Sequence, residues 1–150
     1  MLKKREIINN GLPEVLFDKI VKTNLDCNYH KHFDLYLTEL GPKESVMEVE
    51  VQDFHINPRD IAHGAVAYAL LDTAMGMAIR TVNRNVVTLQ SSMNHIAIAN
   101  LGDNLVAKAK VMDSGKKIII AESEVYNQKG DLIAISRGTF YDKGIFCEEI

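Results

Sequence analysis

Runs of like charge are scarce in this sequence, and so is cysteine. The 150 residues carry a formal net charge of -3, and the longest block of like charge is Lys3-Lys4-Arg5, which argues against nucleic acid as the main partner. The two cysteines, Cys27 and Cys147, lie far apart and form no metal or redox motif. We therefore expect a reducing, cytoplasmic location. The histidines show no metal-ligand spacing, and we expect neither a metal nor a cofactor.

Targeting signals, repeats and linkers are not evident either. The N-terminus is charged but lacks the continuous apolar region of a signal peptide. Hydrophobic residues make up 47% and charged residues 25%, as in an ordinary globular protein. The length suits one domain over residues 1–150 with a sizeable core.

One segment stands out because it is long and almost wholly apolar: IAHGAVAYALLDTAMGMAIR, from Ile61 to Arg80. Its length would suit a membrane span, but Asp72 at its centre would cost roughly 2.5–3.5 kcal/mol on insertion. The segments around it are typical of a water-soluble protein. Alanine, leucine and methionine favour helix, so we predict a buried helix and no membrane association.

Strand-like segments flank this helix on both sides. A short helix, PEVLFDKIV, begins at Pro13, and HFDLYLTEL and SVMEVEVQ follow as strands, with Met47, Val49 and Val51 on one face. Four more strands come after the long helix: NVVTLQSSMNHIAIA, NLVAKAKVMD, KKIIIAESEVYNQ and DLIAISRGTFYD. Their glycine-bearing connections have hairpin length and predict largely antiparallel strands. This order indicates an α+β fold in which an antiparallel sheet wraps around one long helix, with a short N-terminal helix.

Asp72 is the only charged residue between Gly64 and Ile79. Its neighbours at three and four residues' spacing include no cation, so no salt bridge within the helix stabilises it. It could be exposed through a gap or bonded to a hydroxyl group from a strand. A carboxylate retained in apolar surroundings also suggests a functional site, and the surroundings here favour that interpretation.

The start of the same helix offers bare backbone at Gly64 and Ala65. The first amides of a helix have no internal partners and can stabilise an oxyanion, although a glycine there can also serve close packing. Gly64 and Asp72 are eight residues apart, or about 12 Å along a helix. If both act on one carbonyl group, the site is shared between two subunits of a symmetric dimer.

These motifs have a familiar spacing. Asn57, the tripeptide HGA from His63, and Asp72 nine residues after that histidine resemble the PaaI-type acyl-CoA thioesterases of the hotdog fold. The family has HGG at the helix start and an asparagine about six residues before it. An LGD before a strand, a basic turn at residues 115–117 and Gly138-Thr139-Phe140 also fit, so the resemblance covers roughly residues 30–142. It implies a hotdog thioesterase acting on acyl-CoA, as a dimer with shared sites and by extension a dimer of dimers.

The resemblance also implies residue roles. Asp72 would be the nucleophile or the general base that activates water, and Gly64, helped by Ala65, would polarise the thioester carbonyl. Asn57 would position the carbonyl or the water, and His63 would orient the helix start. Without the resemblance, Asn57 could simply form an Asx turn and His63 could be a cap. Polar residues of the next strand would hold the water or the carboxylate: Thr88, Gln90, Ser91 and Ser92.

Further residues would contact the substrate. The turn Gly115-Lys116-Lys117 would meet the CoA phosphates, or its lysines could simply be solvated. Ala65 replaces the second glycine of the family motif; it keeps its N–H but narrows the space. Four apolar residues could line a pocket for the acyl group or could simply belong to the core, so the acyl group stays undetermined. They are Phe54, Tyr68, Met75 and Met77.

Two other functions compete with hydrolysis. An acyl-CoA sensor would use the same pocket without turnover, but the chain has no room for an output domain that binds DNA. A hotdog dehydratase would need a histidine close to a carboxylate, and His63 and Asp72 are poorly spaced for that. No GxSxG motif is present, so a serine triad is not expected.

Overall fold

A computed structural model describes residues 6–150, which form one seven-stranded sheet around a central helix. This is the architecture that the strand and helix order predicted. The helices are α1 (Glu14–Asp26), α2 (Asn28–His32) and the central α3 (Gly64–Arg80), with a short 3-10 turn at Asp53–His55. The strands are β1 (Ile8–Asn9), β2 (Tyr36–Gly41), β3 (Glu44–Glu50), β4 (Arg84–His95), β5 (Asn104–Ser114), β6 (Ile118–Tyr126) and β7 (Leu132–Ile145).

The strand order in the sheet is β1-β2-β3-β5-β6-β7-β4. All neighbours are antiparallel except β1 and β2. The predicted antiparallel arrangement of the last four strands is confirmed, and β5, β6 and β7 follow one another as hairpins. The connection between β4 and β5 is not a hairpin, however, since β4 pairs with β7 at one edge and β5 pairs with β3.

Hydrogen bonds of the backbone and of the Asp103 side chain explain why the turn before β5 leads away from β4. Asp103 accepts a hydrogen bond from the Asn100 amide at 2.8 Å, and its own carbonyl accepts one from Val51 at the end of β3. The turn is therefore held against β3. The residues before it cross from the β4 edge, where the Ile96 amide donates to Ile133, to the middle of the sheet.

The core lies between α3 and the concave face of the sheet. Met47, Val49 and Val51 point into it and are buried, as their alternation predicted. From α3 the buried residues include Leu70, Leu71, Ala74, Met75 and Met77.

The central helix is not covered on all sides, although its apolar sequence predicted nearly complete cover. Ala65 and Tyr68 are exposed, and Ala69 and Asp72 are half-buried, so one stripe of α3 faces outward. Within residues 6–150 no helix is both long and apolar enough to span a membrane.

The N-terminal helix α1 begins directly after Pro13, as predicted, and packs Leu16 and Ile20 into the core. Two elements were not predicted from the sequence. Helix α2 has only five residues, too few for a 3.6-residue hydrophobic period, and β1 has only two. His30 on helix α2 lines a cavity together with residues of α3.

Gly138 on β7 gives a direct test of this packing. A Cβ atom there would lie 2.7 Å from the Phe140 ring and 3.1 Å from the Met75 Cε atom, and both side chains are buried. We expect Gly138→Ala to lower the free energy of unfolding by about 1–3 kcal/mol because the core is overpacked. Urea unfolding measures this. Ser92→Ala, on the exposed face of β4, should change it by less than about 0.5 kcal/mol. Equal stability of wild type and Gly138→Ala would mean that Met75 moves aside without cost.

Candidate functional site

The carboxylate of Asp72 contacts β4. The Thr88 hydroxyl donates a hydrogen bond of 2.9 Å to Asp72 Oδ1, so the strand after the helix supplies its partner. Asp72 forms no ion pair within residues 6–150. Burial raises the pKa of Asp72 above its ordinary value, and the bond from Thr88 opposes this rise. The result is a half-buried carboxylate with one hydroxyl partner, which is suited to act as a base or nucleophile.

A cavity of about 210 Å³ opens beside Asp72. Along α3 it extends from Asp72 past Gly76 to Arg80, that is, toward the C-terminal end of the helix. Its other walls come from the α1–α2 region and from the sheet. The lining there consists of Thr23, Cys27, His30, Val86, Thr88 and Phe140.

The start of α3 is organised by His63. This residue is the N-cap, and its Nδ1 atom accepts a hydrogen bond of 3.0 Å from the Ala65 amide. The amide of Ala65 is therefore occupied. The Gly64 amide has no hydrogen-bond partner in the described part of the chain, and it remains the donor at this helix start. A capping role for His63 is thus observed.

Gly64 also permits a close approach. A Cβ atom at this position would lie 3.0 Å from the Nε2 atom of His95, at the end of β4. This close contact supports the explanation that Gly64 serves close packing, and it is compatible with a functional role of the Gly64 amide. Both residues line a cavity of about 180 Å³ together with Asn57 and His63. His95 is thus a polar neighbour of Gly64 that sequence spacing did not identify.

Asn57 forms the Asx turn that its position before Pro58 suggested. Its Oδ1 atom accepts a hydrogen bond of 2.9 Å from the Arg59 amide, and its carbonyl accepts one from Asp60. The side-chain amide group of Asn57 remains available as a donor near Gly64.

Asp72 and Gly64 do not meet in one chain. They line different cavities, at the middle and at the start of α3. The site residues therefore form two groups, one of Asp72 with Thr88 and the other of Gly64 with Asn57 and His63.

The polar residues of β4 divide between the two faces of the strand. A bulge between Thr88 and Gln90 shifts the register, so Thr88 faces Asp72, while Gln90 and Ser92 are exposed. Ser91 exchanges a hydrogen bond of 3.0 Å with Ser136 on β7 and is half-buried. Among these four residues, only Thr88 reaches the carboxylate. Because a bulge inverts the alternation, the register could not be read from the sequence.

The basic turn lies outside the Asp72 cavity. Gly115 forms the tight turn: its amide donates to the Ile118 carbonyl, and a Cβ atom would lie 2.9 Å from that oxygen. Lys116 is exposed, and Lys117 Nζ stands 5.8 Å from the ring centroid of Tyr141. Ile118 pairs with Tyr141, and Tyr141 pairs with Val87, so the turn lies two strands, or roughly 10 Å, from β4.

The four residues suggested for an acyl pocket have different surroundings. Tyr68 is exposed one turn before Asp72, and Met75 is fully buried in the core. Met77 lines the Asp72 cavity, whereas Phe54 lines a separate cavity of about 270 Å³ near Ala65 and Ala69. Among residues 6–150, no three His, Cys, Asp or Glu side chains are placed to hold a metal ion.

Comparison with known proteins identifies relatives of this chain. The profile of the Thioesterase superfamily matches residues 60–134, half of the chain. A putative esterase of Archaeoglobus fulgidus is 29% identical over 108 residues, which cover 72% of this chain and 70% of that protein. The mouse acyl-coenzyme A thioesterase 13 is 26% identical, over 69% of this chain and 76% of that protein. Acyl-coenzyme A thioesterase PaaI of Escherichia coli is 27% identical, over 63% of this chain and 67% of that protein.

Solved structures show the same fold. The E. coli PaaI protein superposes with a TM-score of 0.84 at 21% identity, covering 90% of this chain and 98% of that one. A Streptococcus mutans protein bound to acetyl CoA superposes with a TM-score of 0.72 at 25% identity, covering 74% and 90%. The hotdog fold predicted from the sequence is confirmed.

The raised pKa of Asp72 leads to a prediction about stability. A carboxyl group whose pKa is raised by folding is protonated more readily in the folded state. Stability is therefore lost as the pH rises from the unfolded pKa through the folded one, and it stays lost at neutral pH. We expect Asp72→Asn to melt at a higher temperature than wild type at pH 7, with the difference shrinking as the pH falls toward 4.

The matched control is Asp18→Asn, a change at an exposed position of α1 that should not show this trend. Thermal melting followed by circular dichroism at several pH values measures both variants. A lower melting temperature of Asp72→Asn at pH 7 would mean that the carboxylate stabilises the fold.

Proposed function

Because the chain belongs to the Thioesterase superfamily, we propose that it hydrolyses acyl-CoA thioesters with Asp72 as its reacting carboxylate. The family profile and the likeness to E. coli PaaI make it a PaaI-type hotdog thioester hydrolase, which confirms the resemblance found in the sequence. The observation that supports the role of Asp72 is its placement: half-buried, beside a cavity and held by Thr88. The acetyl CoA in the related S. mutans structure supports an acyl-CoA substrate.

The chemistry requires only groups that this chain provides. In one route an Asp72 oxygen attacks the thioester carbon, the C–S bond breaks, and water then hydrolyses the acyl-Asp anhydride. In the other route Asp72 takes a proton from a water molecule, which attacks the same carbon. Either way the products are a free acid and the thiol of CoA. In both routes Thr88 fixes the orientation of the carboxylate.

The Gly64 amide stabilises the negative oxygen that develops during either route. It lies at the positive end of a 17-residue helix, and His63 fixes the first turn. Asn57 donates its side-chain amide to the carbonyl or to the attacking water. No metal takes part in this mechanism, and CoA enters only as part of the substrate.

The site is completed by a second copy of the chain. One helix separates its own two groups by eight residues, or about 12 Å, but two antiparallel helices place the start of one beside the middle of the other. The outward stripe of α3, which holds Asp72, is available for this contact. The edge strand β4 beside it carries exposed Val87 and Leu89, which a partner would cover. We propose a dimer with two shared sites, which pairs further into a dimer of dimers.

Lys116 and Lys117 bind the CoA phosphates in this proposal. Their turn lies at the sheet end that also carries Thr88, and both side chains are exposed. Ala65 and Tyr68, on the outward stripe, contact the substrate near the thioester. Ser91 follows Thr88 on β4 and contacts the substrate from the strand side, whereas Gln90, on the other face of the strand, is left out of the proposed site.

Thiol release from a panel of acyl-CoA thioesters tests the activity. We expect wild type to release CoA from at least one member, and Asp72→Asn to lose activity by at least about 100-fold because its amide is neither a base nor a good nucleophile. Asp18→Asn should retain wild-type rates. Tight binding of acyl-CoA without turnover by wild type would instead identify a sensor, and near-normal rates in folded Asp72→Asn would remove Asp72 from the mechanism.

Mixed refolding tests the shared site. Asp72→Ala removes the carboxylate from one chain, and Gly64→Pro removes the amide donor from the other. Each variant alone should be nearly inactive. After an equal mixture is unfolded and refolded, about half the dimers are mixed and each rebuilds one of its two sites, so roughly a quarter of the wild-type activity should return.

The control for this experiment is that each parent variant folds and dimerises, as shown by circular dichroism and size-exclusion chromatography. With that control met, a mixture as inactive as its parents would mean that one chain supplies both groups.

A further inference from the structure

The cavity beside Asp72 ends at an arginine that has no acidic partner. Arg80 occupies the last position of α3 and lines the cavity together with Asp72 and Gly76. In the described part of the chain it forms no ion pair, and its buried Nε atom has no hydrogen-bond partner. A buried charge without a partner is costly, so its presence calls for a ligand or a reason in packing.

Packing alone does not satisfy this guanidinium group. Its central carbon lies 5.4 Å from the ring centroid of Phe146, and Nη1 lies 3.4 Å from the place where a Cβ atom on Gly76 would be. The ring covers one side of the group, and Nη1 packs over the bare helix backbone at Gly76, which also lines the cavity. Burial lowers the pKa of Arg80, but arginine remains protonated at neutral pH. Among the described residues the positive charge therefore has no acidic partner, and the Nε donor has no acceptor.

His30 provides a second unmatched polar group on the opposite wall. It is 8% exposed, it lines the same cavity, and its Nδ1 atom has no hydrogen-bond partner. Burial lowers the pKa of His30; the backbone carbonyl of Asn24 opposes this, and the charge of Arg80 lowers it further. A neutral imidazole with a free ring nitrogen can bind a hydrogen-bonding ligand. Two side chains, each with a buried nitrogen atom that has no partner, thus line the cavity that Asp72 also lines.

We propose that this cavity binds the distal carboxylate of a short dicarboxylic acyl-CoA, with Arg80 as its main partner and His30 as a second one. The inference rests on the proposed thioesterase function, which places the thioester at Asp72, a residue that lines the same cavity. Arginine presents paired donors that match a carboxylate in a bidentate arrangement.

The volume of the cavity and the distance from Asp72 to the guanidinium group limit the length of the acyl group. The cavity volume of about 210 Å³ is below the roughly 300–1,000 Å³ of drug-sized pockets, which favours a short chain. The guanidinium group lies beside Gly76, four residues after Asp72, and this separation corresponds to about 6 Å along the helix. A chain at about 1.2 Å per bond crosses that distance in roughly five bonds. Glutaryl-CoA, whose thioester carbon is five bonds from the oxygens of its distal carboxylate, is therefore the first probe, and pentanoyl-CoA is its uncharged match.

The experiment compares kcat/KM for these two substrates. We expect wild type to prefer glutaryl-CoA by at least about 10-fold, and Arg80→Met to reduce this preference by about 10- to 100-fold, mainly through KM. Arg80→Lys should retain part of the preference. Arg137→Met, which changes an exposed arginine that pairs with Glu122, should leave it unchanged.

Several outcomes overturn the inference. If wild type has equal kcat/KM for both substrates, the inference is wrong, and this result does not depend on whether Arg80→Met folds. The inference is also wrong if Arg80→Met lowers kcat/KM equally for both substrates, because Arg80 would then bind a CoA phosphate rather than the acyl carboxylate.

Binding to Asp72→Asn separates this inference from the proposed function. Calorimetry with the same two ligands should show tighter binding of glutaryl-CoA, and the difference should disappear when Arg80→Met is added. If wild type hydrolyses no member of the acyl-CoA panel while this pattern holds, the thioesterase proposal fails and the carboxylate subsite stands. If hydrolysis occurs and the two ligands bind Asp72→Asn equally, only the subsite is wrong.

Discussion

A carboxylate in the middle of an apolar helix must keep contact with water or a hydroxyl group, since an isolated buried charge costs several kcal/mol or more. Asp72 meets this requirement through Thr88 and through a cavity at its side. The sheet therefore cannot close over the whole of α3, and the outward stripe remains open. Burial raises the pKa of Asp72, the bond from Thr88 opposes this rise, and the second carboxylate oxygen has no bond to another described residue. In the proposed mechanism stability is given up here for a reactive group, a common exchange at enzyme sites.

The geometry of a single helix then links catalysis to assembly. The Gly64 amide and the Asp72 carboxylate belong to one helix, yet they line separate cavities. In the proposed function each chain thus carries two half-sites, one at the start and one in the middle of α3, beside an edge strand with exposed apolar side chains. In the proposed dimer, the contact that covers these apolar residues also brings an oxyanion donor to each carboxylate.

Much of the fold was predictable because its signals are local. The alternation of Met47, Val49 and Val51 and the composition of α3 identified the sheet and the helix. The position of β4 beside β7 was not predictable, since a short connection gives no sign that the chain crosses the sheet. Asp72 was conspicuous as a lone charge. His30 and Arg80 were not, because only the tertiary fold brings the five-residue helix α2 against the end of α3.

The most direct test of the account is whether the ionised form of Asp72 carries the reaction. We predict that kcat/KM of wild type falls at acidic pH as Asp72 is protonated, with a midpoint above the ordinary pKa of an aspartate. Thr88→Val removes the hydrogen bond that lowers this pKa, so the acidic limb should move to higher pH. An unchanged limb in a folded Thr88→Val variant, or a shift to lower pH, would contradict the assignment of Asp72 as the reacting carboxylate.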